Sequence, residues 1–263
     1  LPQLILTGEY GKVHRMRSLI TALRTLTVLP CPGRDTDNFA STLPFFPAVG
    51  TLIGGLVVLI LSALTLQAGW AEGAGAVAAV AAILITRGLH VDGLADVSDA
   101  LGAGRTVERR LEIMKDPHTG AFGVMAIAGD LLLKAAALAH LAAAHQWALA
   151  LLPFIVSRTA QVVMIVSLPY ARAEGGKAER FVREARPLHL VLALIIAAGC
   201  CMAVGGISGI ILLLQGLAIA VFLRYWMKRN FGGVTGDLIG TANEVVETGL
   251  LVFAAAIAGS IHP

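Results

Sequence analysis

Charge is what this sequence has least of. Only 14% of its 263 residues are charged, against about 25% in a soluble domain. That deficit, with a mean hydropathy of +0.79, excludes an ordinary soluble globule and places the chain among polytopic membrane proteins. Cysteine is also scarce. Cys31, Cys200 and Cys201 have no metal-ligand spacing, and the adjacent pair sits in an apolar run as small hydrophobes, so neither a zinc site nor a disulfide framework is expected. The formal net charge of +3 is small, and no nucleic-acid partner is expected. The first fifteen residues, LPQLILTGEYGKVHR, lack the charged-then-apolar pattern of a cleavable signal peptide. Residues 1–15 are expected to be an upstream extension or a vector-derived remnant ahead of a start at Met16. No internal repeat or low-complexity linker divides the rest, so residues 16–263 are expected to form a single membrane-embedded catalytic domain.

Long apolar runs dominate. A bilayer core of about 30 Å needs roughly 20 apolar residues as helix. Seven segments qualify, at about 48–67, 73–91, 121–144, 147–168, 188–204, 207–225 and 240–261, with a hairpin at the GGIS turn of 205–208. The fold class expected is therefore all-α, with about seven transmembrane helices. Residues 16–29 read as an additional helix lying in the interface: Arg17, Thr21 and Arg24 share one face, Leu19, Leu23 and Leu26 another. All Lys and Arg except Lys134 and Arg158 fall in the N-terminal region, in loops 87–120 and 169–187, or around 224–229. Short loops rich in Lys and Arg stay in the cytoplasm. This puts the N-terminus inside and the C-terminus outside a cytoplasmic (inner) membrane.

Against that apolar background, acids stand out. RGLHVDGLADVSDA (87–100) places Asp92, Asp96 and Asp99 at i, i+4 and i+7, on one helical face. Two carboxylates about 5 Å apart at an effective dielectric near 20 repel by about 3 kcal/mol. A divalent cation reverses that sign, and magnesium takes oxygen ligands, typically carboxylates plus a substrate phosphate. A solvated polar face is the alternative. A second set, Asp237, Glu244 and Glu247, shares a face at the start of the last segment. Ionisable residues at the membrane boundary are functional by default, and the charge map puts both sets on the same side. Two such sets fit a two-metal site, or one metal plus a general base. Gly232, Gly233 and Gly236 lie where backbone N–H groups could approach a phosphate, or where a helix simply ends. ERRLEIMKDPHTGAFG (108–123) supplies cations: Arg109, Arg110, Lys115 and His118 for phosphate oxygens, with Glu112 and Asp116 to orient them. A mixed-charge surface helix has the same pattern. Asp130 and Lys134, at i and i+4, read as a structural pair; Arg158 reads as a phosphate ligand or a partner of Asp130. His90, beside Asp92, is a candidate substrate contact.

HVDGLADVSDA (90–100), LEIMKDPHTGAFG (111–123) and GGVTGDLIGTANEVVE (232–247), with FFPAVG (45–50) and TVLPCPG (27–33), resemble the cobalamin synthase family, the adenosylcobinamide-GDP ribazoletransferases. The resemblance runs from about Met16 to the last span; in this family a serine often follows the Lys-Asp pair, where Pro117 stands here. It implies a membrane transferase that joins adenosylcobinamide-GDP to α-ribazole or its 5′-phosphate and releases GMP, with Mg2+ as cofactor. Carried onto this chain, Asp92, Asp96, Asp99, Asp237 and Glu244 hold the metal. Asp99 or Glu247 acts as base, and Lys115, Arg158 and Arg110 clamp phosphate oxygens. His90, Asp116, Gly232, Gly233 and Gly236 contact substrate. An oligomer is compatible with this reading. The Asp92-Gly93-Leu94-Ala95-Asp96 run also resembles the Asp-Gly-x2-Ala-Arg motif of CDP-alcohol phosphotransferases of phospholipid synthesis, although it has one residue fewer between glycine and alanine and Asp96 stands where those enzymes have arginine. A cation-coupled transporter is the non-enzymatic alternative; it would place its charges near the midplane, in broken helices.

Overall fold

Apolar runs in lipid must satisfy their own backbone N–H and C=O groups, which makes helices of them. The computed structural model describes residues 2–258, with side chains from Val13 on. The chain is an all-α polytopic membrane protein, with no strand among the described residues. Helix α1 (Pro2–Leu26) is followed by a 3-10 turn (Phe39–Phe45), α2 (Phe46–Ala68), α3 (Ala71–Ile85) and α4 (Leu89–Ala103). Then come α5 (Val107–Ile113), α6 (Ala121–Ala143), α7 (Trp147–Ser167), α8 (Glu179–Glu184), α9 (Pro187–Phe231) and α10 (Gly236–Ala258).

Among the described residues five helices are long and apolar enough to cross a bilayer, six if α3 and α4 form one span bent by 91°. The bend has a local cause: Arg87 (φ 56°) and Gly88 (φ 66°) are consecutive left-handed residues. The expected 73–91 segment therefore stops at Ile85, and His90 and Val91 belong to α4. α9 contains a reversal. Gly206 leaves helical geometry at φ 57°, ψ −136°, and a Cβ on Gly209 would stand 2.1 Å from the Cys201 carbonyl oxygen. Along an unbroken helix those two residues would be about 12 Å apart. The expected hairpin at 205–208 is thus present, and its arms are 187–205 and 207–231. Divided there, six of the seven expected segments fall on single helical stretches, and the 73–91 segment is split between α3 and α4. The last extends beyond Ala258 only outside the described residues.

The expected interfacial helix at 16–29 is the C-terminal part of α1, which ends at Leu26. Two members of its polar stripe hold the following turn: Thr21 donates to Asp35 at 3.1 Å, and Arg24 donates to Asp35 and to the carbonyls of Cys31 and Gly33. The expectation of an extension at 1–15 falls largely on side chains outside the described ones.

α7 is the central helix; 89% of its most apolar stretch is buried inside the protein. It packs on α2, α9 and α10. Without a hydrophobic drive between helices in lipid, such packing relies on small residues that let backbones touch. A Cβ on Gly50 of α2 would meet the Phe154 carbonyl oxygen of α7 at 2.4 Å, and one on Gly54 the Leu151 carbonyl oxygen at 2.9 Å. The connections that carry the basic and acidic motifs gather at one end of the bundle. Arg110 donates to the Asn230 carbonyl at 3.0 Å, Glu184 accepts from the Phe39 N–H at 2.8 Å, and Tyr170 and Val234 form an isolated parallel bridge.

Gly50→Leu should lower stability in detergent by about 1–3 kcal/mol, because α2 has no room to yield. Gly55→Leu, where nothing stands within 4 Å, should leave the thermal midpoint near that of the native protein. Equal losses would contradict the α2–α7 contact.

Candidate active site

α4 forms where the i, i+4, i+7 spacing of its acids predicts, and Gly88 (φ 66°) caps its start. α10 starts at Gly236, with Asp237 in its first turn. The two helices cross in backbone contact. A Cβ on Gly93 would stand 2.5 Å from the Asp237 carbonyl oxygen, and one on Gly240 3.1 Å from the His90 Cα. The Thr241 hydroxyl donates to the Gly93 carbonyl at 3.0 Å across the same crossing. Two motifs far apart in sequence are thereby fixed side by side.

Above this crossing lies a cavity of about 440 Å³. Its polar wall carries His90, Asp92, Gly236 and Asp237, together with Gln161, Tyr170, Arg172 and Lys177. Leu26, Phe46, Ile165, Phe181 and Ile239 form an apolar wall. Asp96, one turn along α4, is close enough to Asp237, Asp92 and Asp99 to feel their charges, with Arg172 opposing them. Asp92, Asp96 and Asp237 are the acids brought together. Asp99 has another partner: its carboxylate accepts from the N–H groups of Gly120 (2.7 Å) and Gly123 (2.8 Å), capping the start of α6.

Glu244 and Glu247, about two and nearly three turns along α10 from Asp237, leave the cavity altogether. They lie in the interior, not at the headgroup level, with side chains 4% and 1% exposed. There they join a buried network. Lys134 pairs with Glu244, with Glu247 at 3.0 Å and with Asp130 at 3.2 Å. Arg158 pairs with Glu247, not with Asp130, and donates to Ser157 at 2.9 Å. Asp130 also accepts from the Thr248 hydroxyl. The Asp130–Lys134 pair expected from the sequence exists, but as one edge of a five-residue cluster. His90 links the tiers: Gln161 Nε2 lies 2.9 Å from His90 Nε2 and donates to Asn243 at 2.8 Å. A Gln161 amide that donates to both leaves the His90 proton on Nδ1, which lies 3.8 Å from Glu244.

The other expected contacts stand apart from the cavity wall. Lys115 pairs with Glu174 at the surface, a contact that holds the Glu174 carboxyl below its ordinary range. Arg110 is tied to the Gly104 carbonyl and to Asn230. Asp116 bonds to its neighbour His118, whose backbone and ring lower its pKa. Gly232 is the left-handed cap of α9 (φ 75°), and Gly233 admits the Pro169 carbonyl, 2.2 Å from where its Cβ would be. Of the three glycines only Gly236 lines the cavity. Tyr170, Arg172, Lys177 and Gln161 went unnoticed in the sequence. For the first three the one signal is that LPYARAEGGK carries two cations immediately after a span; Gln161 lies inside α7 and has none.

Oxygen donors on Asp92, Asp96 and Asp237 beside an open cavity suit magnesium, which keeps several waters and takes substrate phosphate as ligand. Among the described residues no three His, Cys, Asp or Glu side chains are gathered closely enough to hold an ion unaided. The donor set fits a cation shared with substrate rather than a closed protein cage.

Lys134→Met should cost about 3–5 kcal/mol by leaving buried carboxylates without their counter-charge, read as a lost or strongly lowered thermal midpoint; an unchanged midpoint would contradict the network. Gly93→Val should separate α4 from α10 and abolish activity while the protein still inserts. Retained activity would show that the crossing can loosen without harm.

No solved structure matches the chain. It is 42% identical to the adenosylcobinamide-GDP ribazoletransferase of Chlorobaculum tepidum, covering 91% of this chain and 95% of that one. It is also 42% identical to the enzyme of the same name from Chlorobaculum parvum, over the same shares. The enzyme of that name from Syntrophobacter fumaroxidans is 39% identical, over 89% and 96%. The profile described as cobalamin-5-phosphate synthase matches residues 18–255. With that match spanning nearly all of a helix bundle whose cavity is lined by the two acid motifs, the chain belongs to the cobalamin-5-phosphate synthase family of membrane transferases in cobalamin biosynthesis.

Proposed function

We propose that this chain catalyses magnesium-dependent transfer of the adenosylcobinamide phosphate group from adenosylcobinamide-GDP to α-ribazole or α-ribazole 5′-phosphate, releasing GMP. The reaction takes place at the cytoplasmic face of the inner membrane. The names of the relatives support the donor. The observation that carries the chemistry is the convergence of Asp92 and Asp237 on one cavity.

In this reading Asp92, Asp96 and Asp237 hold the cation. When bound, magnesium offsets the charge that develops on the leaving phosphate, the electrostatic contribution that dominates phosphoryl transfer. The protein's own groups orient the reactants. Asp237 is fixed by the first turn of α10, Asp92 by α4, and the Gly93–Asp237 contact sets their spacing. The apolar wall excludes water from the reacting end. A carboxylate takes the proton of the attacking ribazole hydroxyl. Glu247 is closed off behind Lys134 and Arg158, so of the two expected bases the reading keeps Asp99, which would exchange its hydrogen bonds to Gly120 and Gly123 for the substrate hydroxyl. Glu244, Glu247 and Arg158 act through His90 and the crossing rather than on substrate. The basic loops 87–120 and 169–187 support a cytoplasmic position for this end, with the N-terminus inside and the C-terminus outside.

Two rivals share parts of the site. A CDP-alcohol phosphotransferase would use similar carboxylates, and a cation transporter would use acids within spans. The buried acids here are locked to Lys134 and Arg158, which favours chemistry at the open end over a path through the bundle. Purified protein should release GMP from adenosylcobinamide-GDP with magnesium and stop when a chelator is added. Asp92→Asn and Asp237→Asn should each lower the rate by at least about 100-fold with membrane insertion unchanged. Release of CMP from a CDP-alcohol, or ion flux in proteoliposomes without GMP formation, would replace the proposal.

A further inference from the structure

The cavity's walls are unequal in charge. Asp92 and Asp237 supply its acids, and the segment after α7 contributes Tyr170, Arg172 and Lys177. These are not the cations that the sequence motifs single out. Lys115 is paired with Glu174, Arg110 with Asn230, and Arg158 with Glu247. Arg172 and Lys177 are the Arg and Lys side chains that line the cavity.

Arg172 is only partly engaged. Its Nη2 donates to Asp237 at 2.8 Å and to the Met114 carbonyl at 3.3 Å. Its Nε is buried with no partner among the described residues. A guanidinium N–H shut away from water without an acceptor is unfavourable, so a further oxygen is the missing element. Lys177 is exposed at the rim, with no carboxylate partner among the described residues. Tyr170 lies against Gly176, where a Cβ would stand 2.1 Å from the phenol oxygen. Burial pushes the Tyr170 phenol above its ordinary range, which keeps it protonated and able to donate.

The segment is held in register with α10. Ala171 N–H donates to the Val234 carbonyl at 2.9 Å, and Val234 N–H to the Pro169 carbonyl at 2.8 Å. Arg172 and Asp237 are therefore carried on the two sides of a single backbone bridge, and the loop cannot drift without the start of α10.

We propose that Arg172, Lys177 and Tyr170 form an anion subsite at the mouth of the cavity that takes a phosphoryl group, a phosphate monoester or a diphosphate. A planar guanidinium presents a fork that matches phosphate oxygens, and an ammonium adds a mobile point charge. Arg172 bridges Asp237 to the anion. Under the proposed reaction, on which the identity of the ligand rests, the group comes from the donor's diphosphate or from a 5′-phosphate on the acceptor.

Binding and turnover test this separately. The full chain in detergent, with chelator to remove divalent cations, is titrated with inorganic pyrophosphate while its thermal midpoint is followed. The midpoint should rise with pyrophosphate in the native protein, and Arg172→Gln with Lys177→Gln should need at least tenfold more ligand for the same rise. Arg172→Lys, which keeps the pair with Asp237, and Lys177→Gln alone, at an exposed position, guard against misfolding; each should weaken the response by a smaller factor. No shift in the native protein, or an equal shift in the double variant, overturns the subsite. In turnover, a KM increase in Lys177→Gln confined to the phosphorylated acceptor assigns the anion to the acceptor, and one confined to the donor assigns it to the diphosphate. Pyrophosphate binding without GMP release would count against the transferase reading and leave the subsite standing.

Discussion

The backbone contact between Gly93 and Asp237 is the constraint on which the site depends. It brings two acid-bearing segments, separated by most of the chain, into one wall. Carboxylates at this spacing repel each other, so the crossing must be held from elsewhere. Three things hold it: the Thr241–Gly93 hydrogen bond, the approach of Gly240 to His90, and the ion pairs below. The energetics thus run opposite to a hydrophobic core. Close packing of small residues forces acids together, and in the proposed reading a cation with its phosphate ligand would make that crowding tolerable.

The buried network supports this arrangement from beneath. Asp130, Glu244 and Glu247 face Lys134 and Arg158 in the buried interior. Such clusters are costly to assemble and more costly to break, because removing one member strands a charge. Their value here is geometric. Lys134 joins α6 to α10, and Arg158 joins α7 to α10, so the helix carrying Asp237 is pinned from two sides. His90 and Gln161 carry that rigidity up to the cavity.

Much of the fold was legible in the sequence because bilayer thickness fixes helix length and because turn residues mark reversals. The GGIS turn became the reversal at Gly206, and the 48–67 and 121–144 runs became α2 and α6 almost residue for residue. The bend after Ile85 was not legible, since a left-handed Arg87 leaves no mark in hydropathy. In the site, the spacing of Asp92, Asp96 and Asp237 pointed to the two helices that cross beneath the cavity, but spacing gives a face and not a depth. Glu244 and Glu247 share Asp237's face yet end below the cavity, bound to cations from other helices. Lys115 and Arg110 carried the expected charge and had nearer partners, Glu174 and Asn230. Arg172 was missed because its significance lies in the Tyr170–Val234 bridge, a contact between loops that no local pattern encodes.

The central claim is that Asp92 and Asp237 act as one cation-binding unit. The direct test is the magnesium concentration giving half-maximal GMP release, measured for the native protein, Asp92→Glu, Asp237→Glu and the double variant. Each longer side chain keeps the charge and displaces the oxygens, so each single variant should need more magnesium. In the double variant the two effects should couple rather than simply multiply. An unchanged magnesium requirement in the single variants, or independent effects in the double, would contradict the account.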